Sequence, residues 1–213
     1  MKHKIKVILL DLIYFLLVAI ILILTRNITY GFLSEIQGFG GQLNAININE
    51  NLAEAQNLLS SLTSITTKAY IFIFVIVPLI IFVFYILLQG KTFKKEKFSY
   101  KNFTLISIIP FIFLILGLFI NSKFFILFLI TGYIAFILYF YPLKKLDLSY
   151  KKIYKLFPIY LVYAILPLLI LGFFYLAYTR IAISMDFIVI LAFAVIFSLI
   201  FSLYKIYLLK KLA

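Results

Sequence analysis

Runs of roughly 20 apolar residues, the length of helix that crosses about 30 Å of hydrocarbon, recur along the chain. Leu, Ile, Phe and Val dominate each run. The runs are too long and too unbroken for the strands of a membrane barrel, which alternate apolar with polar residues. Apolar residues make up 66% of the 213 and charged ones only 13%, more apolar surface than a soluble domain of this size can hide. The expected fold class is therefore all-α: a polytopic membrane helical bundle of six transmembrane helices forming a single integral membrane domain. The spans are expected at about 7–25, 69–88, 103–120, 124–142, 156–178 and 187–208. The first run follows "MKHKIK" and ends in "LTRNIT" with no small-x-small cleavage site, so it reads as a retained span.

The connections between runs set an orientation. Lys2, Lys4 and Lys6, then Lys91, Lys94, Lys95, Lys97 and Lys101, then Lys144, Lys145, Lys151, Lys152 and Lys155, and finally Lys205, Lys210 and Lys211 fall on one side. Only Arg26, Lys68, Lys123 and Arg180 fall on the other. That asymmetry places both termini in the cytoplasm, in the cell membrane, and makes the +13 net charge mostly a topology signal. The lysine loops are short and tethered to the bilayer at both ends, so the expected partner is the anionic inner leaflet, with no nucleic acid. Tyr100, Tyr139, Tyr141, Tyr175 and Tyr178 at span ends read as interfacial belts.

Residues 26–68 are then the extracytoplasmic segment. It contains "GFGGQLNAININENLAEAQNLLSSL", residues 38–62, a nearly uncharged polar island. Leu52, Ala55, Leu58, Leu59, Leu62 and Ile65 gather on one helical arc, with Glu54, Gln56, Asn57, Ser60, Ser61 and Ser64 opposite. Asn47 before Glu50, or Asn51 before Glu54, offers a cap-like start. Ile28, Phe32, Ile36 and Phe39 recur at helical intervals after the first span, until "GFGGQ" is expected to break the helix. The two extensions are expected to pair as a helical hairpin reaching roughly 18 Å above the bilayer. Gly38, Gly40 and Gly41 would sit at or near its tip, the candidate docking point for an extracytoplasmic protein partner. The alternative, a 50–66 helix lying flat in the headgroups, lacks the Lys and Arg such helices carry on their polar face.

The second and third pairs of spans echo one another. "FSYK" at 98–101 resembles "LSYK" at 148–151, "ILGLF" at 115–119 resembles "ILGFF" at 170–174, and "YPLKKL" at 141–146 resembles "YLLKKL" at 207–212. Order and sidedness match parallel two-helix repeats, although the offsets drift.

Chemistry inside the membrane usually announces itself as a buried ionisable group, and Asp11 is the candidate. It lies about a turn into the first span, with Lys4 and Tyr14 on its face, and reads first as an interfacial carboxylate paired with lysine or water. The sharper reading is a proton or cation site. Asp186 reads as a helix cap at the outer end of the last span. With no cysteine, one histidine (His3) and no second acid at depth, neither a catalytic constellation nor a metal or cofactor site is expected. Ala194, Ser198 and Ser202 form a small-xxx-small packing seam on the last span, with Thr131, Gly132 and Ala135 similar on the fourth. Pro78, Pro110 and Pro167 predict kinks near residues 74, 106 and 163. Tyr160, Tyr163, Pro167, Leu171, Phe174 and Tyr178 share a face of the fifth span, and Tyr160, Tyr163 and Tyr178 are candidate cavity-lining residues. Asn27-Ile28-Thr29 is a glycosylation sequon beside the membrane.

Two functional classes follow. One is a non-catalytic membrane component that docks a partner through its outer hairpin. The other is a small carrier, or substrate-binding transporter subunit, for a neutral or hydrophobic solute, whose coupling would lean on Asp11.

Overall fold

The computed structural model describes residues 2–45, 51–92, 100–140, 156–164 and 187–211, and all the regular structure among them is helical. There are six helices: α1 (Lys2–Ala45), α2 (Leu52–Thr92), α3 (Tyr100–Phe119), α4 (Phe124–Phe140), α5 (156–164) and α6 (Phe187–Lys211). Four of them, α1, α2, α3 and α6, are long and apolar enough to cross a membrane, and α4 is a shorter apolar helix. This is the make-up of a multi-pass membrane protein. Asp186, Pro167, Tyr178 and residues 141–146, 148–151 and 170–174 of the internal echoes lie outside the described residues.

The chain divides into two compact units, Met1–Ala19 with Phe82–Ala213, and Ile20–Ile81. The first unit is apolar outside and polar within. Leu105, Ile109 and Ile112 on α3, Ile126, Ile130 and Ile134 on α4, and Ile196, Leu199, Ile200 and Leu203 on α6 point outward. Asp11, Gln89, Ser107, Ser198, Ser202 and Lys205 are enclosed. In water this arrangement would be unstable; in hydrocarbon it is what helix association requires, because apolar side chains gain nothing there by hiding from one another. The core is aromatic. Ile86, Phe103, Phe136, Ile137, Tyr160 and Leu208 cluster, and Phe82 stacks on Phe111 with ring centroids 3.9 Å apart.

The α3–α4 connection is four residues long because its own groups close it. Ile120 and Asn121 donate back to the Leu116 carbonyl, and the Asn121 side chain accepts the Lys123 amide at 2.9 Å. Gly117 lets the helices approach, since a Cβ there would stand 3.0 Å from the Phe125 ring.

In the second unit, the half-buried or buried positions include Thr25, Thr29, Phe32, Ile36, Phe39 and Leu43 on α1, and Ala55, Leu58, Leu62, Ile65 and Ala69 on α2. Both sets advance in alternating steps of three and four, the spacing of a coiled-coil seam. Phe32 meets Phe72 at a centroid distance of 6.1 Å, so the two helices run side by side. The seam is narrower than the expected arcs: Ile28, Leu52 and Leu59 are 45%, 60% and 57% exposed.

The expected break at "GFGGQ" is not there. α1 continues through Gly38, Gly40 and Gly41 to Ala45, so the three glycines lie within the helix, in its last turns before Ala45. Their unfavourable propensity, about 1 kcal/mol each, is outweighed by the flanking turns and the partial burial of Ile36, Phe39 and Leu43. α2 begins at Leu52 with Asn51 at its N-cap, although the Asn51 side chain makes no capping hydrogen bond. Near Pro78 the helix widens into a π-helical turn at Phe72–Ile76, where the Val77 amide reaches back five residues to the Phe72 carbonyl. Proline lacks the amide that would serve Phe74 and its ring crowds that turn, so a one-residue expansion restores the hydrogen bonding around it. α3 runs unbroken through Pro110.

Nothing lies within 4 Å of a Cβ built on Gly38 or Gly41. Gly38→Ala and Gly41→Ala should each stabilise α1 by about 0.5–1 kcal/mol, seen as slower amide exchange over residues 30–45. Faster exchange would show that these positions need glycine after all.

Candidate functional site

Three helices bring four polar side chains together inside the first unit. α1 turns Val7, Asp11, Phe15 and Val18 inward at steps of three and four. α6 turns Ala194, Ser198, Ser202, Lys205 and Leu208 inward at the same spacing. The last turn of α2 adds Gln89 and Thr92. Asp11, Ser202 and Lys205 are completely enclosed and Gln89 is 2% exposed.

Every oxygen of the carboxylate is used. Asp11 Oδ1 accepts from Lys205 Nζ at 3.0 Å and from Gln89 Nε2 at 2.8 Å, while Oδ2 accepts from Ser202 Oγ at 2.9 Å. Lys205 also donates to the Gln89 amide oxygen, so Gln89 touches both members of the ion pair. Thr92 donates to the Gln89 backbone carbonyl at 2.8 Å and steadies that turn. The Lys205 ammonium stands 6.0 Å from the Phe201 ring, and Phe201 packs edge-on against Phe15. No buried side-chain nitrogen or oxygen among the described residues lacks a hydrogen-bond partner. A charge removed from water and lipid persists only when paired and hydrogen-bonded, and this arrangement meets both conditions.

Asp11 is fully buried and paired with a lysine from a distant helix. Its partner is Lys205, 194 residues away on α6. Lys205 belongs with the buried groups, although its position among the terminal lysines points to the aqueous side. The signal for it was present: Lys205 continues the Ala194, Ser198, Ser202 face at the next helical step. Gln89, one turn before Thr92, follows Phe82 and Ile86 in the same way. Of the seam residues, Ser202 joins the carboxylate, Ser198 bonds the Val195 carbonyl of its own helix at 2.8 Å, and Ala194 is buried.

A layer of tyrosines from α1, α2, α4 and α5 lies in the same unit. Tyr14 and Tyr85 have ring centroids 6.0 Å apart. The Tyr139 and Ser107 hydroxyls share a hydrogen bond at 2.6 Å, and Ser107 Oγ also lies 2.7 Å from the Phe103 carbonyl. Tyr163 packs on Phe136 and Phe201 at 5.3 and 5.2 Å. Tyr160 is buried and donates to the Leu129 carbonyl at 3.0 Å, beside Gly132, where a Cβ would come within 2.6 Å of the phenol oxygen. Asn27 of the sequon is exposed on α1, but Thr29 donates its hydroxyl to the Thr25 carbonyl within the helix.

Among the described residues no three His, Cys, Asp or Glu side chains gather to hold a metal ion. What the site offers instead is one negative charge in a cluster of oxygens, occupied by one ammonium. No protein-family model matches the chain, and no curated protein or solved structure shows significant similarity to it.

Asp11→Asn or Lys205→Met alone leaves one buried charge uncompensated and should destabilise the folded protein by about 3–5 kcal/mol. The double variant should lose markedly less than the sum, as measured by thermal unfolding in detergent. Gly132→Ala should lower the melting temperature by displacing the Tyr160 hydroxyl, and Tyr160→Phe in the same chain should recover part of that loss.

Proposed function

We propose that the chain is a non-catalytic, six-span membrane component with both termini cytoplasmic, which holds a two-helix arm in the extracytoplasmic water for a helix of a protein partner. Helix length carries this reading. α1 has 44 residues and α2 has 41, against the roughly 20 needed to cross a bilayer. At 1.5 Å per residue each helix is about 60 Å long or more, twice the hydrocarbon thickness. The surplus carries polar groups where it would meet water: Glu54, Gln56, Asn57 and Ser60 are exposed on α2, beside the exposed Leu52 and Leu59.

The continuous helix from Leu52 to Thr92 favours a standing arm over one lying flat, which would need a sharp break between residues 66 and 69. The glycines find a new role in this reading. Gly31, Ser34, Gly38 and Gly41 are exposed at steps of three and four along α1, a smooth strip with no side chain to hold an incoming helix at a distance.

A photo-crosslinking residue at Ser34 in native membranes should give an adduct of one discrete mass, absent from a chain in which residues 38–62 are replaced by a short linker. Gly38→Leu with Gly41→Leu should suppress the same adduct while insertion stays intact. No discrete adduct, or one that persists in both variants, rejects the reading.

A further inference from the structure

Lys205 is held where a free cation would be held. We propose that Asp11, Gln89 and Ser202 form a cradle for a monovalent cation, and that the chain's own Lys205 ammonium fills it as a tethered occupant. The inference is independent of the arm and its partner.

The oxygens that meet Nζ, Asp11 Oδ1 and Gln89 Oε1, come from α1 and α2, Ser202 on α6 positions the carboxylate, and the arrangement does not depend on the lysine alone. Ser202 fixes Oδ2 of Asp11 at 2.9 Å, and the Gln89 amide nitrogen fixes Oδ1 at 2.8 Å. Both are neutral donors that position the carboxylate whether or not Lys205 is present. Since its nitrogen is committed to Asp11, the Gln89 amide presents its oxygen to the same point from which Nζ contacts the carboxylate. The Phe201 ring adds a face that favours a cation at 6.0 Å. One carboxylate with neutral oxygens balances one positive charge, whereas divalent cations call for more carboxylates or water. The site is closed, with Asp11, Ser202 and Lys205 fully buried, so an occupant exchanges only when α6 moves and carries its ammonium away.

Truncating Lys205 to alanine removes three methylenes and the ammonium, the heavy atoms of n-propylammonium. In Lys205→Ala, n-propylammonium should raise the melting temperature of the purified full-length protein saturably, by several degrees. n-Propanol at equal concentration should not. The parent protein should not respond, because a tethered ammonium outcompetes a free one. Asp11→Asn with Lys205→Ala should lose the response.

Sodium and potassium form a second arm. A saturable response of Lys205→Ala to either ion, lost with Asp11→Asn, supports a cradle of broader selectivity. No response to any of the three cations, or an equal response when Asp11 is neutral, overturns the proposal. If Lys205→Ala does not accumulate in cells, cell-free synthesis into nanodiscs with and without n-propylammonium reads the same site as recovered folded protein. Equal recovery in the two conditions, including none in either, counts against it.

Discussion

A carboxylate and an ammonium enclosed together are the interaction on which the first unit depends. Each charge alone would be expelled from a low-dielectric interior or neutralised, and each is kept by the other and by the two neutral side chains between them. Because Asp11, Gln89 and Lys205 come from α1, α2 and α6, satisfying them brings three helices into register at once. Phe15 against Phe201 and Phe82 on Phe111 can then pack by shape, although apolar contact between helices is worth little in lipid. The polar interior specifies which faces meet, and the aromatic core fills the space that results.

The second unit is built on another economy. Phe32 and Phe72 meet across its seam, while Ile28, Leu52 and Leu59 remain largely exposed. Helical continuity comes from backbone hydrogen bonding carried through unfavourable residues, the glycines of α1 and Pro78 of α2. The π-helical turn at Phe72–Ile76 answers the proline: one extra residue enters the turn and the helix resumes at Val77.

Much of this was legible in the sequence, and the misses have physical causes. Hydrophobic length locates α1, α2, α3, α4 and α6, because nothing else explains runs of that length in so apolar a chain. Asp11 stands out as an acid within such a run, and Ser202 as part of a small-residue face. Lys205 is hidden by its neighbours Lys210 and Lys211, which make it look like one more topology charge. Gln89 is hidden by Gly90 and Lys91, which read as the end of a span. In each case the 3.6-residue period held the answer, and the charge pattern pointed elsewhere. The glycine strip was misread because propensity describes an isolated helix, whereas the flanking turns and the seam keep α1 wound. The capping pattern at Asn51 located the start of α2 without the hydrogen bond that motivates it.

The 194 residues between Asp11 and Lys205 also separate them in time. At about 5–20 residues per second, the ribosome makes the lysine some 10–40 seconds after the acid. For that interval α1 has its acid but not its base. A chain stopped before residue 205 would never complete the pair, and the orphaned acid would mark it as unfinished to any surveillance that senses polar groups in lipid.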